Sequence, residues 1–380
     1  MKSSKLRGGL GLTAALVGAL ALSACGGAVT DGGGSSTSAA PPTDTSSSAP
    51  AAFVPATSGD LRMYTWSDYF PTEMAKRFTQ ETGIKLTVDY YDSNETLEAK
   101  LKASGGTGYD LVVPSDYMVA NLVRENLVQP IDLASLPNGA NIKDEFLTPY
   151  FDDGRKYSVP YLYGTTGYAY DSAIVKQDMK TWADYFAAPA EARGKMGVFN
   201  DQVETINAAL RAVGGEVCST DPAKLQAAQD LLVALKPSVG TISSEGIIDR
   251  MIAGESPLSM MWNGAAHRVI LKRPTVKYVY PADGTTLWQD NWTIPSGAEN
   301  TQQALTFLNW FMDPKNAAEA ANYQGYNSGI KGVDAQLSDE MKNDPAVVIP
   351  PDMQAQVQVP APCDATATNN YSKIWESFKS

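Results

Sequence analysis

The stretch LRMYTWSDYFP, residues 61–71, begins the part of the chain that is expected to fold. Apolar and polar side chains alternate over its first five residues, which predicts a short strand. The strand is followed by an aromatic, a hydroxyl, a carboxylate and a second aromatic group: Trp66, Ser67, Asp68 and Tyr69. Pro71 then suits the first position of a helix, where its missing N–H costs nothing.

Ligands of open α/β sheets bind beyond the carboxyl ends of the strands. Rings and a carboxylate at such an end can bind an organic cation. Core packing and helix initiation explain the same residues, and the stretch by itself favours this simpler interpretation.

The residues that follow predict alternating helices and strands. A helix is expected over 71–81, a strand over 84–90, a helix beginning at Ser93, and a buried parallel strand over 110–114. This last strand ends in Ser115, Asp116 and Tyr117, so two strands of one sheet finish in similar chemistry. A second α/β unit follows residues 164–167, where the chain is expected to cross between domains.

The N-terminus has the features of an export signal. Residues 1–24 contain a basic start and a short apolar run, and the small residues before Cys25 resemble the lipobox of bacterial lipoproteins. We expect cleavage before Cys25 and lipidation of its sulfur; an ordinary signal cleaved nearby is the alternative. Residues 25–57 are rich in Gly, Ser, Thr, Ala and Pro and predict a flexible tether.

Composition limits the function classes. The remaining residues are too many for one typical core, so two domains are expected. The net charge of −12, from 42 acidic and 30 basic residues, argues against binding nucleic acid. It suits a cationic ligand, although acidity is also a common means of staying soluble.

Two cysteines, Cys218 and Cys363, lie outside the lipobox. In an exported protein the default expectation is a disulfide between them. Two separate thiols are the alternative that the sequence leaves open.

Further carboxylates and aromatic residues follow strands in the second unit. Asp201 and Glu204 open a helix after a strand, where a capping box and a negatively charged cleft are equally good interpretations. Trp262 ends an apolar strand just before Gly264. Trp288 and Asp290 are two residues apart in an extended segment and so share one face, as an amine site needs; the alternative is a core tryptophan.

Signals of catalysis are weak. The one histidine, His267, lies on a predicted helix beside Arg268 and is better explained by packing or surface exposure. No spacing of His, Cys and carboxylates resembles a metal site, and neither a phosphate-binding loop nor a nucleophile elbow occurs. We therefore expect no cofactor and no enzyme activity.

Several motifs together carry a family resemblance. Residues 64–69 (YTWSDY), 81–85 (ETGIK), 92–96 (DSNET), 109–115 (YDLVVPS) and 261–264 (MWNG) resemble bacterial spermidine/putrescine-binding proteins, the substrate receptors of ABC polyamine importers. The likeness runs in colinear order from about residue 60 to the C-terminus and is weakest after about residue 338.

The resemblance implies an α/β fold of the type II-like periplasmic-binding-protein class, in which two lobes, each a mainly parallel sheet flanked by helices, close about a hinge. The N-terminal lobe would comprise 58–165 and 291–333, and the C-terminal lobe 166–290 and 334–380. Carried over by motif, the residues that would bind the polyamine are Trp66, Ser67, Asp68, Tyr69, Ser115, Tyr117, Asp201, Glu204, Trp262, Trp288, Asp290 and Tyr326. The partner would be an ABC permease at the outer face of the cytoplasmic membrane, with the receptor a monomer held there by Cys25.

The sequence also departs from the family pattern. Asp116 stands where an uncharged residue is expected. Ser67 and Asp68 resemble putrescine receptors, whereas Trp288 resembles the spermidine type. Two alternatives stay open: a receptor of the same fold for another small solute, and a secreted hydrolase that uses carboxylates on a glycan.

Overall fold

The structure is a computed structural model that describes residues 53–359 and 361–380. The predicted signal segment, Cys25 and the tether up to residue 52 lie outside the described residues. Residues 53–57 are described and lie against the folded body: Phe53 packs on the first core, and the Ala56 N–H donates to Thr306 Oγ1 at 2.8 Å.

Strands and helices alternate along most of the chain. The strands are β1 Gly59–Trp66, β2 Ile84–Tyr91, β3 Leu111–Val112, β4 Ser158–Asp171, β5 Met196–Val198, β6 Val239–Ile242, β7 Leu258–Trp262, β8 Val276–Val279, β9 Thr285–Thr293 and β10 Val357–Gln358. The helices are α1 Thr72–Thr82, α2 Asn94–Ser104, α3 Asp116–Arg124, α4 Trp182–Phe186, α5 Gln202–Ala212, α6 Pro222–Leu235, α7 Ile247–Ala253, α8 Asn263–Ile270, α9 Thr301–Phe311, α10 Pro314–Gln324, α11 Asp339–Asn343 and α12 Ala365–Lys379.

One continuous sheet joins the strands in the order β2-β1-β3-β9-β4-β7-β5-β6, with β10 beside β9 and β8 beside β4. The strands at each end pair in parallel, β1 with β2 and β3, and β5 with β6 and β7. The middle pairs, β3-β9, β9-β4 and β4-β7, are antiparallel. The α/β fold with two mainly parallel halves is confirmed, and the two long strands β4 and β9 connect the halves.

The first helix shows why the local sequence folds as it does. Met74 and Phe78, one turn apart on α1, are fully buried. Gly83 ends the helix at φ 75°, in the left-handed region that favours glycine, and its N–H donates to the Thr79 carbonyl. The predicted helix is confirmed, with Pro71 as its N-cap and not its first residue.

The strand predicted over 110–114 is shorter than expected because polar side chains take the neighbouring backbone groups. The Asp110 carboxylate accepts from the Arg62 N–H at 2.9 Å. The Val113 carbonyl accepts from Trp66 Nε1 at 3.0 Å and from the Tyr91 hydroxyl. Only Leu111–Val112 remain in the ladder.

Two separate hydrophobic cores lie along the sheet. The first gathers α1, α9 and α10 around Phe78 and Trp292, and the second gathers α4, α5 and α6 around Trp182. Strand β4 serves both, because Tyr161 lies in the first core and Tyr168 in the second. The expected division into two lobes therefore has a physical basis, while the proposed boundaries stay a prediction.

The C-terminal segment is attached to the second core. A disulfide joins Cys218 to Cys363, and helix α12 packs on α5 and α6. The Tyr371 hydroxyl donates to Asn207 Oδ1 at 2.6 Å, and the Cys218 N–H donates to the same hydroxyl at 2.9 Å. Among the helices of residues 53–359 and 361–380, none has the length and apolar character needed to span a bilayer.

Candidate functional site

A cavity of about 220 Å³ opens between the two cores. Strand ends and helix N-termini from both halves face it, as expected for a ligand site in an α/β protein. Eleven of the twelve residues predicted as ligand-binding line it: Trp66, Ser67, Asp68, Tyr69, Ser115, Asp201, Glu204, Trp262, Trp288, Asp290 and Tyr326.

Two tryptophans from opposite walls of the cavity meet edge to face. Trp66 comes from the end of β1, and its Nε1 is fixed by the Val113 carbonyl. Trp262 comes from the end of β7 and stacks on Phe199 with ring centroids 4.3 Å apart. The two indoles meet at 5.9 Å with an interplanar angle of 73°. Each wall therefore offers a ring that can cover the methylenes or the charge of an organic cation.

A second pair of aromatic residues lies beside the antiparallel strands β4 and β9. The Trp288 and Tyr326 rings meet edge to face at 5.0 Å. Two glycines leave room for them: a Cβ atom on Gly264 would lie 2.5 Å from the Tyr326 ring, and one on Gly164 would lie 2.8 Å from the Trp288 ring. The missing side chain at Gly264 therefore allows the Tyr326 ring to approach the backbone.

Asp290 is a buried carboxylate that lines the cavity. It is 5% exposed, and Ser115 Oγ donates to its Oδ1 at 2.6 Å. Burial raises the pKa of Asp290 to about 7, and Asp201 adds to the rise, while the hydrogen bond from Ser115 opposes it. The carboxylate has lost its water without gaining a basic partner, so its charged form is costly until a cation arrives.

Asp201 and Glu204 bring two further carboxylates from the start of α5. Asp201 is the N-cap residue and accepts from the Glu204 N–H at 2.9 Å. The Glu204 side chain does not complete the capping box; it accepts from Thr166 Oγ1 at 3.0 Å, and its Oε2 has no hydrogen-bond partner among the described residues. Glu204 is thus free to face the cavity.

Burial raises the pKa values of Asp201 and Glu204, as it does that of Asp290. Burial raises the pKa of Asp201 to about 6, with a smaller contribution from Asp92. Burial, followed by the charge of Asp201, raises the pKa of Glu204 to about 8. Three carboxyl groups whose pKa values are raised by burial therefore face one space.

The rim of the cavity carries contacts between side chains from the two halves. Asp68 Oδ2 lies 2.8 Å from Arg268 Nη2, so the predicted ammonium partner is already paired with a guanidinium. Ser67 Oγ donates to Glu245 Oε1 at 2.6 Å. Asp68 therefore belongs to the rim and not to the buried set formed by Asp201, Glu204 and Asp290.

Tyr117, the twelfth predicted residue, does not line this cavity. Its hydroxyl donates to Glu95 Oε1 at 3.2 Å, and it faces a separate, smaller cavity. Tyr117 comes two residues after Ser115 and lies within α3, which turns its ring away from the space that Ser115 faces.

Ten other residues that line the cavity were not predicted from the sequence. They are Asn94, Ser244, Glu245, Gly246, Ile247, Ile248, Asp249, Ala265, Arg268 and Gln324. Asn94 carries a usable signal, since it opens a helix directly after a strand. Arg268 carries one as well: it lies on the helix that follows Trp262.

The balance of charge restricts what this cavity can bind. Of the described residues that line it, six are carboxylates and one, Arg268, is basic. In the described part of the chain, no three His, Cys, Asp or Glu side chains lie close enough together to hold one metal ion. His267 lies away from the cavity and is 3% exposed, with Nδ1 2.6 Å from Asp344 Oδ2. The site is therefore suited to an organic cation with more than one charge.

Comparison with known proteins assigns the family. The bacterial extracellular solute-binding protein family matches residues 73–349. The chain belongs to this family. Because the family is extracellular, the chain is an exported protein.

Curated members of the solute-binding family resemble the chain over most of their length. The spermidine/putrescine-binding periplasmic protein of Salmonella typhimurium is 36% identical over 295 residues, which cover 77% of this chain and 84% of that protein. The putrescine-binding periplasmic protein of Pseudomonas aeruginosa is 30% identical over 335 residues, which cover 83% and 91%.

A solved structure agrees with the fold of this solute-binding chain. The protein from Listeria monocytogenes described as a spermidine/putrescine ABC transporter superposes with a TM-score of 0.79 at 31% identity. The match covers 84% of this chain and 98% of that protein.

Proposed function

We propose that this protein is a receptor that captures polyamines outside the cell and delivers them to an ABC importer. The observation that carries the proposal is the convergence of three carboxylates, Asp201 and Glu204 from the start of α5 and Asp290 from β9, on one aromatic-walled cavity. The names of the relatives support the same ligand class.

Binding would use two kinds of contact. The methylenes of the ligand pack against Trp66 and Trp262, whose faces also attract an ammonium group. The ammonium ends pair with the buried carboxylates, and these pairs strengthen as closure removes water from them. Capture then requires complementarity and no bond-making step, which agrees with relatives named as binding proteins.

Closure would follow from the same charges. Ionised carboxylates left facing one another in a closed cavity repel, so the ligand-free protein should favour separated lobes. A bound polyamine cancels that repulsion and favours closure about β4 and β9, with the lobe boundaries given above as part of this proposal. The closed form, a monomer tethered through lipidated Cys25, is the state that we propose a permease recognises.

Calorimetry with putrescine, spermidine and spermine tests the function. 1,4-Butanediol is the matched control, because it keeps the four-carbon chain of putrescine and removes both charges. We expect saturable binding of at least one polyamine and none of the diol. If no polyamine binds more tightly than roughly 100 μM, the ligand assignment is wrong.

A further inference from the structure

A second cavity, of about 50 Å³, lies back to back with the first. Neighbouring residues face opposite spaces: Asn94 lines the first cavity and Glu95 the second, and Asp201 lines the first and Gln202 the second. The N-terminal turns of α2 and α5 therefore form the wall between them.

Side chains from both halves enclose this second cavity. Met118 belongs to the first core, whereas Tyr371 belongs to the second. Whatever occupies the space touches both halves at once. Its binding is therefore linked to the closed arrangement of the helices that surround it.

One carboxylate oxygen of Glu95 lacks a hydrogen-bond partner among the described residues. Tyr117 donates to its Oε1, but its Oε2 is shielded from solvent and has no hydrogen-bond partner within the described residues. Burial, and then the charge of Asp201, raises the pKa of Glu95 well above its usual value. A buried carboxylate oxygen without a partner lowers the stability of the folded protein, unless a hydrogen-bond donor or a cation contacts it.

The other lining groups also favour a cation. Among the described residues that line the second cavity there is no Lys, Arg or His. The second acidic residue, Glu98, is already paired with Lys102, whose Nζ lies 3.0 Å from Glu98 Oε1 and 3.0 Å from Glu125 Oε2. Glu95 is thus the one lining carboxylate that no basic side chain neutralises within this described set.

Size limits the occupant. A site for one water molecule needs about 10–15 Å³. The second cavity therefore has room for a small ion with one or two water molecules, or for a methylated ammonium ion, and not for a polyamine chain.

We propose that the second cavity binds one small monovalent cation against Glu95, an ammonium-type or alkali ion, and that this ion stabilises the closed arrangement of the two halves. The site is separate from the polyamine cavity. Its existence does not depend on the identity of the main ligand.

Thermal unfolding without any polyamine tests the proposal. The wild-type protein is heated in ammonium, methylammonium, potassium or choline chloride at one ionic strength, where choline is too large for the space. We expect a saturable rise in Tm with at least one small cation and none with choline. An ion at ten times its dissociation constant favours the folded state about elevenfold. The salt that acts distinguishes an ammonium-type ion from an alkali ion.

Three variants locate the effect. Glu95→Gln should abolish the difference between the small cation and choline, and each protein serves as its own reference, so a changed basal Tm does not interfere. Glu98→Gln, on the same cavity but already paired with Lys102, should keep the difference, and so should Asp290→Asn in the main cavity. Identical curves for all salts in the wild type, or a difference that survives Glu95→Gln, would overturn the proposal.

Discussion

Replacing Asp290 with Asn tests how much one negative charge in the main cavity contributes to binding. Asparagine keeps the size of the side chain and an oxygen that can accept the hydrogen bond from Ser115. The substitution therefore removes the negative charge and little else. Since burial raises the pKa of Asp290 to about 7, the measurement belongs at pH 8, where about nine-tenths of this carboxyl is ionised.

The expected loss follows from the burial of the carboxylate. Removing one partner of a desolvated charge pair costs about 2–5 kcal/mol. A flexible ligand can turn its ammonium group towards Glu204, so the lower part of that range is expected. A loss of about 2–4 kcal/mol weakens the Kd roughly thirtyfold to thousandfold.

Calorimetry at pH 8 measures this loss, with Asp249→Asn as the matched control. Asp249 lines the same cavity but is exposed, so solvent screens its charge and a change below about threefold is expected. An Asp290→Asn variant that binds within threefold of the wild type would refute the placement of an ammonium group at Asp290. Equal losses in the two variants would refute the role of burial.

The same substitution should have the opposite effect on stability. A carboxyl whose pKa is raised in the folded state holds more protons folded than unfolded, so stability falls as pH rises from about 4 to about 7. Asn removes this cost. The ligand-free Asp290→Asn protein should therefore have a higher Tm than the wild type at pH 8, with the difference vanishing near pH 4.

Three further outcomes are expected. Polyamine affinity measured by calorimetry should rise from pH 5 to pH 8, where the ligand stays protonated, because the pKa of Glu204 is raised to about 8 and this group must lose its proton to pair with an ammonium; a flat profile would contradict this. Gly264→Ala should lower both affinity and Tm, since the new methyl lies 2.5 Å from the Tyr326 ring; unchanged values would show that the ring can move without cost. Cys218→Ser should lower the free energy of unfolding in urea by about 5 kcal/mol, the chain-entropy value for a 145-residue loop, while affinity changes by less than threefold.

Most elements of the fold could be predicted because each has a local cause. The alternation before Trp66 and the glycine after α1 act within a few residues of the elements that they define. The position of β9 between β3 and β4 could not be predicted. It depends on Val112 pairing with Thr293, and no local pattern links residues so far apart.

The site residues that could be predicted are those at strand ends or within the family motifs. Trp66 and Asp290 each follow or occupy a predicted strand, and the family motifs join them into one set. Asp68 was assigned to the ligand because nothing near it in sequence points to Arg268, its partner in the structure. Tyr117 was assigned with Ser115, although a helix that begins between them separates the two side chains.

The shared strand β9 also sets the order of events when the chain is made. β3 cannot gain its antiparallel neighbour until Thr293 has been synthesised, and Phe307 must follow before the first core is complete. At about 5–20 residues per second, the roughly 180 residues between β3 and β9 take on the order of 10–35 s to emerge. The N-terminal half therefore remains incomplete until this late segment has been made, so it does not finish folding before the C-terminal half is synthesised.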